Sequence, residues 1–191
     1  MHHDNDNHPE TYSDKIKKAT GEIIENCYQC GKCTAGCPLA SDMEYPPSLM
    51  MRMLQTGDES DREALLRSLM IWYCVSCETC ATRCPQEVSV ANIADFLRQE
   101  SYRKKMVHKG ARNIVAFHKT FLDSIKYTGR LYEVGLIAGY KMRSGKLLQD
   151  LLAAPGLFLR GKLSLFPHPV KNRKALRRIF KKTEIQSPEE I

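Results

Sequence analysis

Apolar positions return at helical spacing along most of the chain, and no stretch alternates convincingly in the manner of a strand. Ile16, Ala19, Ile23 and Ile24 share one face behind Ser13, a residue type suited to capping, so a first helix is predicted to lead straight into Cys27. After a Pro-Pro break, a short helix is predicted from near Pro47, where proline suits the first turn, to Gly57. Its Met50, Met51, Met53 and Leu54 read as core filler. A second helix, from about Asp61 to Tyr73, carries Leu65, Leu66, Leu69 and Met70 on one side and delivers Trp72 and Tyr73 beside Cys74. Ser89 can cap a further helix whose inner face is Val90, Ile93, Ala94 and Leu97, and which turns basic at YRKKMVHKGAR.

The remainder also reads as helical. Ile114, Phe117, Phe121 and Ile125 form one pattern, and Gly135 and Gly139 follow at a spacing that permits close helix contact. A short basic helix from Val170 to Lys182 then places Val170, Leu176 and Ile179 on a narrow apolar strip. The predicted fold class is all-α.

Length changes this picture little: 191 residues suit one domain with an appended lobe. The expected divisions are a disordered terminus at 1–11, a cysteine-bearing helical domain at 12–105 and a basic helical extension at 106–191. The polar start MHHDNDNHPE, with its three histidines, reads as a frayed end, not a metal site.

Charge changes it more. Residues 1–100 hold 9 Lys and Arg against 16 Asp and Glu, whereas residues 101–191 hold 20 against 6. The front is acidic and the back is basic, a balance that suits nucleic acid, an anionic membrane or an acidic protein partner. The basic runs YRKK and RKALRRIFKK lack the interleaved aromatics that stack nucleobases, so a docking face is the better reading.

No run reaches the ~18 apolar residues of a membrane-spanning helix. The most apolar region, Leu147 to Phe166, is broken by Gln149, Asp150, Pro155, Arg160 and Lys162. The N-terminus has no apolar core of a secretory signal, so a cytoplasmic location is expected. There thiols stay reduced, and clustered cysteines point to metal or redox chemistry instead of structural disulfides.

The cysteines carry the chemistry. CYQCGKCTAGCP and CVSCETCATRCP both read C-x2-C-x2-C-x3-C-P, placing Cys27, Cys30, Cys33 and Cys37 in one motif and Cys74, Cys77, Cys80 and Cys84 in the other. This run binds [4Fe–4S] clusters in two-cluster ferredoxins, where three close cysteines wrap one cube and the fourth, before proline, reaches the other. On that logic one cluster takes Cys27, Cys30, Cys33 and Cys84, and the second takes Cys74, Cys77, Cys80 and Cys37. A pair of zinc sites is the alternative, but zinc usually takes two C-x2-C hooks well apart and has little use for the third cysteine or the proline.

All eight cysteines are thereby used, and none is left as a nucleophile. No G-x-G-x-x-G or P-loop offers a flavin, nicotinamide or nucleotide site. His108, His118 and His168 are isolated, and His118 falls in an apolar helical pattern where a core or boundary role is expected. The chain reads as one that stores and passes electrons, with no catalytic residue of its own.

The paired motifs, the helical spacer between them and the basic helical tail resemble the C subunit of heterodisulfide reductase, over roughly residues 15–185. Similar cysteine motifs occur in the iron–sulfur subunits of succinate dehydrogenase, anaerobic glycerol-3-phosphate dehydrogenase and glycolate oxidase. The first of these adds a [2Fe–2S] domain, and the others add C-C-G repeats; here no cysteine follows Cys84. The resemblance implies an α-helical ferredoxin fold, two [4Fe–4S] clusters and a relay from a flavin-containing A subunit to a B subunit with C-C-G repeats. In methanogens that B subunit reduces a heterodisulfide. A free two-cluster ferredoxin, the iron–sulfur subunit of another anaerobic dehydrogenase and a zinc-stabilised nucleic-acid binder remain as alternatives.

Overall fold

The computed structural model describes residues 10–145, 166–167 and 170–183. Among them every regular element is helical, and no β-strand occurs. The chain divides into two compact units, residues 1–108 and 109–191. Residues 1–9 of the expected terminus, His168 and nearly all of the apolar region from Leu147 lie outside the described residues.

The first unit contains α1 (Tyr12–Thr20), α2 (Lys32–Ala35), α3 (Pro47–Thr56), α4 (Glu59–Arg67), α5 (Met70–Tyr73), α6 (Thr79–Thr82) and α7 (Val90–Arg103). Its first cap differs from expectation. Thr11, not Ser13, receives the Asp14 amide at 3.2 Å, while the Asp14 carboxylate accepts the Thr11 amide at 2.9 Å. This reciprocal pair satisfies two otherwise unpaired donors at the helix start. Gly21, at φ 80°, ends α1, so Ile23 and Ile24 lie beyond the helix; Ile16 and Ile24 are buried, whereas Ala19 and Ile23 are exposed.

The predicted helix from Asp61 to Tyr73 is two. It begins at Glu59, where the Asp58 carboxylate accepts the Ser60 amide at 2.9 Å, and stops at Arg67. Ser68 is extended and its hydroxyl donates to the Leu65 carbonyl at 2.7 Å, a local bond that competes with continuing the helix. α5 then carries Trp72 and Tyr73 to Cys74.

α7 is the central element, packing against α1, α4, α5 and α6. Its Ile93, Ala94 and Leu97 meet a core that includes Ile16, Met50, Leu65 and Ile71, all essentially inaccessible. Each such aliphatic side chain contributes about 1.5–3 kcal/mol. Ser101, fully buried, donates to the Leu66 carbonyl at 2.7 Å and ties α7 to the end of α4.

The second unit contains α8 (Arg112–Thr128), α9 (Glu133–Ser144) and α10 (Arg173–Thr183). α8 packs on α9 and on α10. At Gly139 a β-carbon would stand 2.6 Å from Thr120 Cγ2, so the absent side chain lets the two helices close. Arg143 of α9 donates to Thr120 Oγ1 and pairs with Asp123, both at 2.7 Å. Val170 precedes α10 instead of joining its apolar strip, and its side chain lies against Gly129. His118 is exposed beside Phe117, outside any core, because the buried position on α8 is Thr120. Phe117, Leu122, Tyr127, Ile137 and Met142 leave much of their apolar surface exposed.

Candidate metal centre

Each cysteine motif folds into the same local shape, an irregular turn followed by a single helical turn. Cys27 follows a 3-10 turn over Ile24–Asn26, Gly31 precedes α2 at φ 75°, and Cys33 lies on α2. Forty-seven residues later, Cys74 follows α5, Glu78 precedes α6 at φ 58°, and Cys80 lies on α6. Gln29 and Ser76 hold the other matching left-handed positions, at φ 62° and 50°. The last cysteines also correspond: the Cys37 amide donates to Thr34 O at 3.1 Å and the Cys84 amide to Ala81 O at 3.0 Å.

α2 and α6 pack together, so the two motifs interlock. The result is a pair of cavities with mixed walls. One cavity is lined by Cys27, Cys30, Cys33 and Cys84, together with Met51, Val88 and Val90. A second is lined by Cys74, Cys77, Cys80 and Cys37, with Met43, Met50 and Met70 among its apolar walls. Each cavity thus takes three cysteines from one motif and the last cysteine of the other.

All eight cysteines are free thiols. Cys30 and Cys77 are exposed and the others half-buried. Burial pushes the Cys33 and Cys80 thiols up, whereas hydrogen bonding with the Thr79 hydroxyl and amide holds Cys77 below the usual thiol value. The Val88 amide donates to Cys84 Sγ at 3.4 Å. Among the described residues no three His, Cys, Asp or Glu side chains gather closely enough for one metal ion; the thiols are spread around the walls of two cavities instead. A group that fills a cavity while bonding four thiolates suits this donor set, and iron–sulfur clusters are such groups.

Several supporting residues carry no signal in the cysteine spacing. Gln55, at the end of α3, donates from Nε2 to the carbonyls of Cys27 at 2.6 Å and Ile24 at 3.0 Å. Arg98 of α7 serves the second motif, donating to the Cys74 carbonyl and to Ser76 Oγ, both at 3.0 Å, while paired with Asp95. Thr34 Oγ1 accepts the Ser48 amide at 2.8 Å and joins α2 to α3. The Glu22 carboxylate accepts from the Ser89 amide and from Asn92 Nδ2, both at 2.9 Å, holding the start of α7. These contacts join residues distant in sequence, which pattern reading does not reach.

Residues 23–88, which contain both motifs, match the family described as a 4Fe-4S dicluster domain. The interlocked cysteine loops lie within the matched region. The same region is similar to named proteins of methanogens. The chain is 31% identical over 90 residues to the C subunit of the H(2):CoB-CoM heterodisulfide,ferredoxin reductase of Methanothermobacter thermautotrophicus, covering 47% of each chain. It is 37% identical over 90 residues to the C subunit of a ferredoxin:CoB-CoM heterodisulfide reductase of Methanosarcina acetivorans, covering 47% of this chain and 35% of that one. To the second iron-sulfur C subunit of the CoB–CoM heterodisulfide reductase of Methanocaldococcus jannaschii it is 30% identical over 111 residues, 58% of each. The matched region spans about half the length of the curated relatives. The chain resembles the C subunits of heterodisulfide reductases. Among the described residues, no helix is long and apolar enough to cross a membrane.

Proposed function

We propose that this chain is an electron-transfer subunit that holds two [4Fe–4S] clusters and relays electrons within a hetero-oligomeric complex of the heterodisulfide reductase type. The observation that carries the proposal is the crossed lining of the two cavities. Cys27, Cys30, Cys33 and Cys84 would hold one cluster, and Cys74, Cys77, Cys80 and Cys37 the other. When bound, such clusters take up and give back single electrons at potentials tuned by their surroundings.

The chain's own residues would supply position and access. Gln55 and Arg98 fix the carbonyls of Cys27 and Cys74, the first cysteine of each motif, and so hold both loops in place. Cys30 and Cys77, the exposed members, mark the sides from which partners would approach. The relay would run between a flavin-containing A-type subunit and a disulfide-reducing B-type subunit bearing C-C-G repeats, in the cytoplasm. α10 presents Arg173, Lys174, Arg177, Arg178, Lys181 and Lys182, and we assign residues 106–191 to docking a protein partner, not nucleic acid. The exposed apolar side chains of α8 and α9 support that role, since a permanent partner would cover them.

Anaerobic purification with interacting proteins retained tests the reading. A flavoprotein and a C-C-G protein in the same band are expected. A brown species that runs alone at monomer size in native extract would instead establish a diffusible ferredoxin-type carrier.

A further inference from the structure

The backbone of the two motifs repeats, but the charge around them does not. Lys32, at the start of α2, is the charged residue lining the first cavity; Glu78, just before α6, is the charged residue lining the second. Glu78 occupies the position that Gly31 fills in the first motif, and it does so at φ 58°, where a non-glycine residue is disfavoured. Its carboxylate is held by the Ser89 hydroxyl at 3.1 Å, which fixes the negative charge beside the cavity. We propose that Glu78 and Lys32 make the two cavities unequal electron acceptors, with the Cys74, Cys77 and Cys80 side the weaker acceptor and the Cys27, Cys30 and Cys33 side the stronger. This inference rests on the two-cluster reading above.

Two observations act in one direction. A fixed anion disfavours adding an electron nearby, and a cation favours it. Apolar side chains are more numerous around the second cavity, among them Leu39, Met43, Met50, Met70, Ala91 and Ala94, and desolvation penalises the more negative reduced state. Hydrogen bonds to sulfur do not separate the two, since the Val88 amide donates to Cys84 in the first cavity and the Thr79 amide to Cys77 in the second. Two cations do not reverse this order. Arg98 reaches the second motif but is neutralised by Asp95. Arg83 adjoins Cys84 in sequence and lies along Gly36, next to Cys37, so its charge serves both cavities.

The test is a redox titration of the full chain, purified anaerobically and followed by electron paramagnetic resonance, after its iron content has been measured. Two one-electron waves are expected. Glu78→Gln, which keeps a hydrogen-bonding side chain, shifts the lower wave upward by about three- to tenfold in its equilibrium constant, tenfold being about 59 mV. Glu78→Gly, which also relieves the left-handed backbone, gives the same direction. Lys32→Gln lowers the upper wave by a smaller factor, because Lys32 is solvent-exposed. A protein with full iron content overturns the inference if Glu78→Gln moves the upper wave or neither wave, or if both centres titrate together. Iron well below about eight per chain overturns the two-cluster reading itself, and this inference with it.

Discussion

Arg83 lies along Gly36: a β-carbon at Gly36 would stand 2.7 Å from Arg83 Cδ and 3.0 Å from its Nη1. The two residues hold the same place in the two motifs, each just before the last cysteine. The pseudo-repeat therefore interlocks through an asymmetry, a long cation on one side filling the space left by a missing side chain on the other. Gly36 is in a right-handed conformation, so alanine is excluded there by space and not by backbone angle. Gly36→Ala is predicted to destabilise the protein by about 1 kcal/mol, because the Arg83 side chain must move. The double variant with Arg83→Ala recovers most of that loss. Urea midpoints of the four members of this cycle measure the coupling.

The proposed crossed ligation makes a prediction about which variants resemble one another. Cys27→Ser and Cys84→Ser should damage the same spectral component, although the residues lie in different motifs. Cys37→Ser and Cys74→Ser should damage the other. Electron paramagnetic resonance of the four reduced variants reads this directly, and pairing by motif instead of across motifs would refute it.

Without clusters, the thiols should differ in reactivity. Hydrogen bonds from Thr79 lower the Cys77 pKa, so near pH 8 more of it is thiolate than of Cys33 or Cys80, whose values burial raises. Iodoacetamide is predicted to label exposed Cys77 well before those two in the apoprotein. Peptide mass spectrometry gives the order, and Thr79→Ala should slow labelling at Cys77.

In the second unit, Gly139→Val is predicted to cost about 1–3 kcal/mol, since its side chain would drive Thr120 away. The strain falls where Arg143 reaches Thr120 and Asp123. Hydrogen exchange should rise across residues 112–144.

Much of the first unit was legible because local and tertiary preferences agree there. Ser89 does cap α7, accepting the Asn92 amide at 3.3 Å, and Val90, Ile93, Ala94 and Leu97 are buried as their spacing predicts. Proline at the start of α3 and Gly57 at its end also stand where the sequence places them. The failures came where a side chain competed for the backbone. Thr11 captures the cap expected of Ser13 through its reciprocal pair with Asp14, and the Ser68 hydroxyl breaks a helix that its leucines would have continued. His118 misled because α8 buries the methyl-bearing Thr120 against Gly139, a choice set by α9 and not by the periodicity of α8 itself.

The site divides in the same way. The cysteine spacing pointed to iron–sulfur chemistry, and the structure gathers the cysteines it named around two cavities. Gln55, Arg98 and Glu22 were not legible, because the site groups they bond lie at least 22 residues away along the chain. The asymmetry between Gly31 and Glu78 was visible as letters, but its meaning required the left-handed backbone and the cavity that both positions border.

The central claim is that eight cysteines hold two iron–sulfur clusters between them. Metal and sulfide analysis of anaerobically purified protein, with electron paramagnetic resonance of the same reduced sample, tests it most directly. About eight irons per chain and two interacting paramagnetic centres are predicted. Fewer than about six irons, with zinc in their place and no such signal, would contradict it.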